Sequence, residues 1–246
     1  MNAVVIISCG RDQMLELTLP SVIKYCETHN FNLEVIREPI YNFGERGGYN
    51  YGTFEKFQCF NLFEKYDRIL RLDADIIVTP SAPNIFEFVP NENIGVVNED
   101  VGRRQRDRRK QIENIKTDMG GLFTNIEMPK HIKEWKTGYF NSGVVVASKE
   151  HALVFKLNRG IFVRRFLSHP KKLGPFKEQT LLNWRVRLAD IPLTPLCYKF
   201  NHMSMFTEMG KDPKNSWFIH YAGPQHGKIK KIKKGVEYFY GSAIKK

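Results

Sequence analysis

No stretch of the sequence approaches the roughly 20 consecutive apolar residues that cross a bilayer, so the chain reads as having no transmembrane segment. The N-terminal run, MNAVVIISCG, has no basic region ahead of its apolar residues. Val4–Ser8 therefore reads as a first strand rather than a signal peptide. Cysteine is scarce. Cys9, Cys26, Cys59 and Cys197 lie far apart with no metal-type spacing, which argues against a disulfide framework and fits the reduced thiols of a cytosolic protein. Phosphate-binding glycine patterns are missing too. Tyr41–Gly52, YNFGERGGYNYG, is rich in glycine and tyrosine but is neither a GxGxxG nor a P-loop, and reads as a loop. With no internal repeat and no clear linker, one domain over residues 1–246 is expected.

Positive charge is short in residues 1–98, which hold 8 Lys and Arg against 13 Asp and Glu, a balance of −5. The rest of the chain holds 30 against 13, or +17. The two parts are therefore expected to meet different partners, with an anionic one on the second side. The composition, 42% hydrophobic and 13% aromatic, is that of a folded globular protein.

The chemistry concentrates in Tyr66–Thr79, YDRILRLDADIIVT. Ile69, Leu70 and Leu72 read as a buried strand, and Ile76, Ile77 and Val78 resume the apolar run. Between them stand Asp73 and Asp75, separated by the small Ala74. Two ionised carboxylates inside an apolar run are costly unless a cation or strong donors compensate them. In extended backbone, residues two apart point the same way, so both carboxylates can face one divalent ion.

Around this stretch the pattern is α/β. Ala3–Ser8 is a strand. Met14, Leu15, Leu17, Leu19, Val22 and Ile23 mark a helix that Pro20 is expected to kink or split, and Leu33–Ile36 is a second strand. Strand–helix–strand opens a parallel sheet, whose ligands bind beyond the carboxyl ends of the strands. Ser8–Asp12 and Asp73–Asp75 both fall at that edge. Thr53–Lys65 reads as a helix carrying Lys56, and Ile94–Val97 as a strand. Gly102–Lys116 is poor in apolar residues and reads as a loop or an exposed helix. Phe140–Gly143 leads into a strand at Val144–Ala147, and His151–Leu167 and Gly174–Trp184 carry helical patterns. Cys197–Phe200 is strand-like, Trp217–Tyr221 is apolar and aromatic, and the tail from Lys228 is rich in lysine.

These pieces in this order resemble the nucleotide-sugar-dependent glycosyltransferases of the GT-A fold, most closely the glycogenin/galactosyltransferase-like family 8, from Val4 to about Lys228. EKFQCFNLFEKYDRILRLDADIIV, YFNSGVVV, KEQTLLN and WFIHYAG are each similar to a segment of that family. The resemblance implies a single Rossmann-like GT-A domain with a mainly parallel sheet. Residues 1–98 would bind the nucleotide sugar, 99–227 would form the acceptor side, and 228–246 would be a basic tail. It implies a metal-dependent transfer from a nucleotide sugar, a UDP-sugar, to a glycan, lipid-linked or protein acceptor, with retention of configuration. Asp73, Asp75 and His220 match the metal ligands, with Mn²⁺ favoured and Mg²⁺ possible. Ser8, Cys9, Lys56, Ala74, Ser142, Gly143 and Gly223 join the two aspartates as donor-binding positions. Asn141, Glu178 and Gln179 are the candidate catalytic residues, Gln179 lying under the reactive carbon. The family usually has Asp where Glu178 stands. It also places a phosphate-binding Lys six residues after the His, where this chain has His226 and then Lys228, so either residue is open for that role.

Two other functions compete. A sugar nucleotidyltransferase would need a longer Gly-rich basic loop after the first strand than CGRDQ. A non-enzymatic nucleic-acid-binding module would use Gly102–Lys116 and the tail, but leaves the aspartate pair unexplained. The segment 228–234, KIKKIKK, with the aromatics after it, is further expected to be able to rest on an anionic membrane face.

Overall fold

A computed structural model describes residues 1–10, 12–41, 45–46, 49–50, 52–122, 129–157, 177–223 and 226–241. Six strands form the central sheet: β1 (Asn2–Ile7), β2 (Asn32–Ile36), β5 (Arg68–Leu72), β7 (Ile94–Asn98), β8 (Phe140–Ser148) and β9 (Leu193–Pro195). Their order is β2-β1-β5-β8-β7-β9. β1 is parallel to β2 and β5, and β7 is parallel to β9. β8 runs against both its neighbours, so five strands share one direction and β8 opposes them. A second, two-stranded sheet pairs β6 (Ile76–Val78) with β10 (Phe218–His220) in antiparallel register. Within Tyr41–Gly52, the two-residue strands β3 (Glu45–Arg46) and β4 (Tyr49–Asn50) pair in antiparallel register.

This topology explains where the motifs meet. The carboxyl ends of β1 and β5 are level, Ile6 beside Leu72, so Ser8 and Asp73 leave the sheet together. Because β8 is antiparallel, its beginning rather than its end lies at that edge, with Val144 opposite Leu72. The Phe-Asn-Ser-Gly segment thus enters the same cleft from the other side. Between Val96 and Val97 the β7 register jumps from Val145 to Asn141, which brings the residue after β7, Glu99, there as well.

The first helix, α1 (Asp12–His29), is continuous through Pro20. Proline removes one backbone bond, but Met14, Leu15, Val22, Tyr25 and Cys26 remain buried on either side of it and hold the axis. The predicted helix at Thr53–Lys65 begins as a 3₁₀ turn, Gly52–Gln58, and continues as α2 (Cys59–Leu62). The strand read at Cys197–Phe200 is instead a 3₁₀ turn at Tyr198–Phe200, and the edge strand is β9. The helix expected from His151 is a 3₁₀ segment, Lys149–Phe155, and residues 158–176 lie outside the described residues.

Gly102–Lys116, read as a loop or an exposed helix, is helical and in part buried. It forms a 3₁₀ turn and then α3 (Gln105–Leu122), with Ile112 and Ile115 fully buried and Arg108 nearly so. Lys116 donates to the carbonyls of Lys133 and Trp135, beside the short α4 (Lys130–Lys133). Part of the charge read as a surface for nucleic acid is therefore used internally. The chain continues through α5 (Lys177–Leu188) and α6 (Ser204–Glu208) to α7 (Lys228–Tyr240).

The tail also differs from expectation. Ile232 of α7 is fully buried with Met14, Ile77 and Ile219, and Ile229, Val236, Phe239 and Tyr240 pack around them. The apolar face that was to meet a membrane is turned onto the protein, while Lys230, Lys231, Lys233 and Lys234 stay exposed. No helix among the described residues is long and apolar enough to cross a membrane. Ile232→Ala is expected to lower the unfolding free energy by about 2–4 kcal/mol in urea denaturation. An unchanged midpoint would contradict docking of α7.

Candidate active site

The acidic pair occupies the turn between β5 and β6, where the strand ends but the burial does not. Thr18 on α1 donates to the Ala74 carbonyl at 2.8 Å, and the Ala74 side chain is in the core, which accounts for a small residue there. The β10–β6 register sets His220 opposite Ile76, and Tyr221 N–H bonds to the Asp75 carbonyl at 3.0 Å. A non-local strand pairing therefore brings His220 beside aspartates some 145 positions earlier in the chain. One ligand atom each from Asp73, Asp75 and His220 lies within 4.8 Å of the others. Gly143 makes room for the imidazole. A Cβ at that position would stand 2.3 Å from His220 Cε1 and 2.8 Å from Asn141 Oδ1.

Cations surround the pair. Lys56 Nζ is 2.8 Å from Asp73 Oδ1 and 3.2 Å from Glu178 Oε1, and Lys228 Nζ is 2.8 Å from Asp75 Oδ2. The buried Arg71 reaches Asp73 Oδ1 at 3.1 Å. Ser142 donates to Glu178 Oε1 at 3.1 Å. Burial acts to raise the carboxyls of Asp73 and Glu178. Lys56, joined by Arg71 at Asp73, outweighs it and holds both below the usual carboxylate range. Burial acts in the same sense on Asp75, and the charge of His220 when protonated, with that of Lys228, reverses it.

The donor set fits a divalent cation. Asp75 Oδ1 is buried with no hydrogen-bond donor among the described residues, and the atom facing it is His220 Nε2 at 3.3 Å. A bare carboxylate oxygen opposite an imidazole nitrogen, with a second carboxylate beside them, is what a cation with mixed oxygen and nitrogen ligands requires.

Gln179, Asn141 and a residue not foreseen, Glu99, form the floor. Gln179 Oε1 accepts from Ser142 N–H at 2.9 Å and from Asn141 Nδ2 at 3.1 Å, and Gln179 Nε2 donates to Glu99 Oε2 at 2.8 Å. Arg104 and Arg108 clamp Glu99 Oε1 at 2.7 and 2.6 Å. Burial acts to raise the Glu99 carboxyl. Arg108 and the amide donors prevail and hold it low. Asn201, also unforeseen, bonds both Asn141 and His220.

The other candidate positions are more loosely connected. Ser8 and Cys9 follow β1, and no hydrogen bond among the described residues joins them to the aspartates. Ser8 N–H bonds to Ile36 and its hydroxyl is buried without a partner among the described residues. Burial, with Glu55 second, pushes the Cys9 thiol up to about 11, so it is protonated at neutral pH. Gly223, at φ +112°, turns the chain after β10 in a conformation that favours glycine. Lys228 is buried on Asp75, whereas His226 is exposed at the mouth of a cavity of about 340 Å³ that His202, Thr207, His220, Lys228 and Lys231 help to line.

A sequence model of glycosyl transferase family 8 matches residues 11–226. No curated protein matches by sequence. Among solved structures, the chain is similar to a glycosyltransferase involved in the glycosylation of the major capsid of PBCV-1, at 14% identity over 94% of this chain and 98% of that one, with a TM-score of 0.58. It is similar to the bifunctional glycosyltransferase WbbM at 13% identity over 91% of this chain and 46% of that one, with a TM-score of 0.55. It is also similar to the galactosyltransferase LgtC, solved with donor and acceptor sugar analogues, at 16% identity over 96% of each chain, with a TM-score of 0.53. At these identities the likeness is one of fold, and that fold is GT-A.

The Glu99 carboxyl lies below its ordinary 4.5 in the folded protein. Its contribution to stability is therefore complete above about pH 4.5 and is lost as pH falls through the folded value. In EDTA, the urea midpoint is expected to drop steeply in acid. Glu99→Gln is expected to start lower at pH 7 and fall less. A wild-type midpoint unmoved to about pH 3 would contradict the paired, ionised carboxylate.

Proposed function

The chain belongs to glycosyl transferase family 8 and is a glycosyltransferase, and on that premise we propose a metal-dependent transfer from a UDP-sugar to a glycan or lipid-linked acceptor, with retention of the anomeric configuration. The observation that carries this reading is the convergence of Asp73, Asp75 and His220 with two lysines at one sheet edge. These three residues would hold a divalent ion, Mn²⁺ before Mg²⁺ given the imidazole. Such an ion, when bound, is a Lewis acid that neutralises charge on a departing diphosphate.

The remaining roles belong to the protein's own groups. Lys56 and Lys228 supply fixed positive charge where the diphosphate leaves. Lys228 rather than His226 is assigned the phosphate contact, because its ammonium already stands at the aspartate pair. Gln179 is assigned a place beneath the reactive carbon of the sugar, with Asn141 and Ser142 orienting it. Glu178 is tied to Lys56 and Ser142, so it serves to position the lysine, not as a free base.

The acceptor is proposed to be anionic. The exposed Lys231 of α7 lines the 340 Å³ cavity together with Lys228, and none of its described lining residues is acidic. Contact of α7 with an anionic membrane, if the acceptor is carried on one, would be made by its exposed lysines rather than by the apolar face that packs on the protein.

Incubation with UDP-sugars and Mn²⁺ is expected to release UDP and form a product whose NMR spectrum shows the donor's configuration. EDTA or Asp75→Ala should reduce the rate at least 100-fold, of the order seen when a charge-stabilising group is removed. Full activity in EDTA would refute the metal, and an inverted product would refute retention. Raising ionic strength is expected to increase the acceptor KM with kcat little changed. A KM indifferent to salt would remove the anionic acceptor.

A further inference from the structure

Behind the metal cluster, three buried amides and a carboxylate are joined in a line whose hydrogen-bond directions are forced. Backbone N–H groups only donate. Gly143 N–H therefore points at Asn141 Oδ1 (2.8 Å), and Ser142 N–H at Gln179 Oε1 (2.9 Å). Glu99, between two arginines, only accepts. It takes Asn141 Nδ2 at 3.2 Å and Gln179 Nε2 at 2.8 Å. Asn141 is thus oriented from both ends. Its Oδ1 also faces Asn201 at 3.0 Å, so Asn201 must present Nδ2 there and turn its own Oδ1 to His220 Nδ1, 2.8 Å away. An acceptor at that nitrogen requires Nδ1 to carry a hydrogen. Nε2 is left facing Asp75 Oδ1 at 3.3 Å and Asp73 Oδ2 at 3.8 Å.

We propose that Glu99, Asn141 and Asn201 form a directional relay that holds His220 as its Nδ1–H tautomer, reserving Nε2 for a divalent cation, and that the same relay fixes the amide of Gln179. The inference rests on the reading of Asp73, Asp75 and His220 as a metal site. Asn201 and Glu99 are positioning residues. Neither is assigned contact with substrate, and each acts through a neighbour that is. Outer partners of this kind set the tautomer and aim of a ligating imidazole, and losing one costs 10–100-fold in metal affinity or activity. Here the outer partner is shared. Glu99 touches both Gln179 and the asparagine that leads to His220, so the metal ligand and the residue beneath the sugar are held in one frame.

The first test needs no metal. Protein labelled with ¹⁵N at its seven histidines, kept in EDTA at a pH where the imidazole is neutral, is expected to show His220 with Nδ1 protonated and Nε2 bare. The signal is assigned by its loss in His220→Gln. The opposite tautomer would overturn the relay. The second test is calorimetric titration with Mn²⁺ alone. Asn201→Leu, which removes the acceptor while keeping the branched side-chain skeleton, is expected to raise the dissociation constant about tenfold or more. Asn201→Asp, which keeps an acceptor for Nδ1, is expected to recover most of the affinity. Wild-type affinity in Asn201→Leu would refute the role, and if that variant fails to fold the wild-type tautomer decides. Absence of Mn²⁺ binding to the wild type would instead refute the metal reading, with the tautomer still judging the relay.

Discussion

Two carboxylates two residues apart, at the end of a buried central strand, repel one another and lose most of their hydration. That local cost organises the site. It is offset on four sides: Lys56 and Arg71 against Asp73, Lys228 against Asp75, and the imidazole of His220 between them. None of these groups is adjacent to the pair in space by virtue of sequence alone, apart from Arg71. Each is delivered by a separate element, and the folded sheet is what makes the delivery consistent. A buried charge cluster of this kind contributes little net stability. Its value lies in the arrangement it enforces at the sheet edge.

The direction of β8 is the main architectural device. In an all-parallel sheet the edge beyond the strands receives only strand ends and the loops that follow. With β8 reversed, the start of a strand is placed there too. Asn141, Ser142 and Gly143 are then held by strand geometry rather than by a loop, and the polar floor can be nine-tenths or more buried. The pairing of β10 with β6 extends the same logic to His220. His220, Asn141, Ser142 and Gln179 are therefore borne by strands and a helix, with Asp73 and Asp75 held in the short turn between two strands, which suits a site whose groups must be held within a fraction of an ångström.

The opening strand–helix–strand, the aspartate pair and the segments around Asn141, Gln179 and His220 were legible in the sequence. The first two are local patterns, apolar runs and a pair of carboxylates inside one, whereas the other three were legible through their resemblance to segments of the family. What was not legible depends on partners distant in the chain. Glu99 closes a strand as Asp73 does, but its meaning comes from Arg104, at the end of the 3₁₀ turn, and Arg108, on α3, in a segment that reads as solvated charge. Within Gly102–Lys116, Ile112 and Ile115 are fully buried, two apolar side chains too few to stand out among their charged neighbours. Asn201 carries no signal in Phe-Asn-His until His220 is known to lie against it. The tail was read correctly as amphipathic in pattern, yet nothing local says whether an apolar face will meet lipid or protein. Met14, Ile77 and Ile219 answer that only in the folded chain.

The central claim is that Asp73, Asp75 and His220 form one divalent-cation site that the fold builds in advance. Electron paramagnetic resonance of free Mn²⁺ during titration into the protein tests it most directly. The account expects the free-ion signal to be depressed with a stoichiometry of about one ion per chain, and that depression to be lost in Asp73→Asn and in His220→Ala while circular dichroism stays unchanged. An undiminished signal with the wild type, or binding that survives both substitutions, would contradict it.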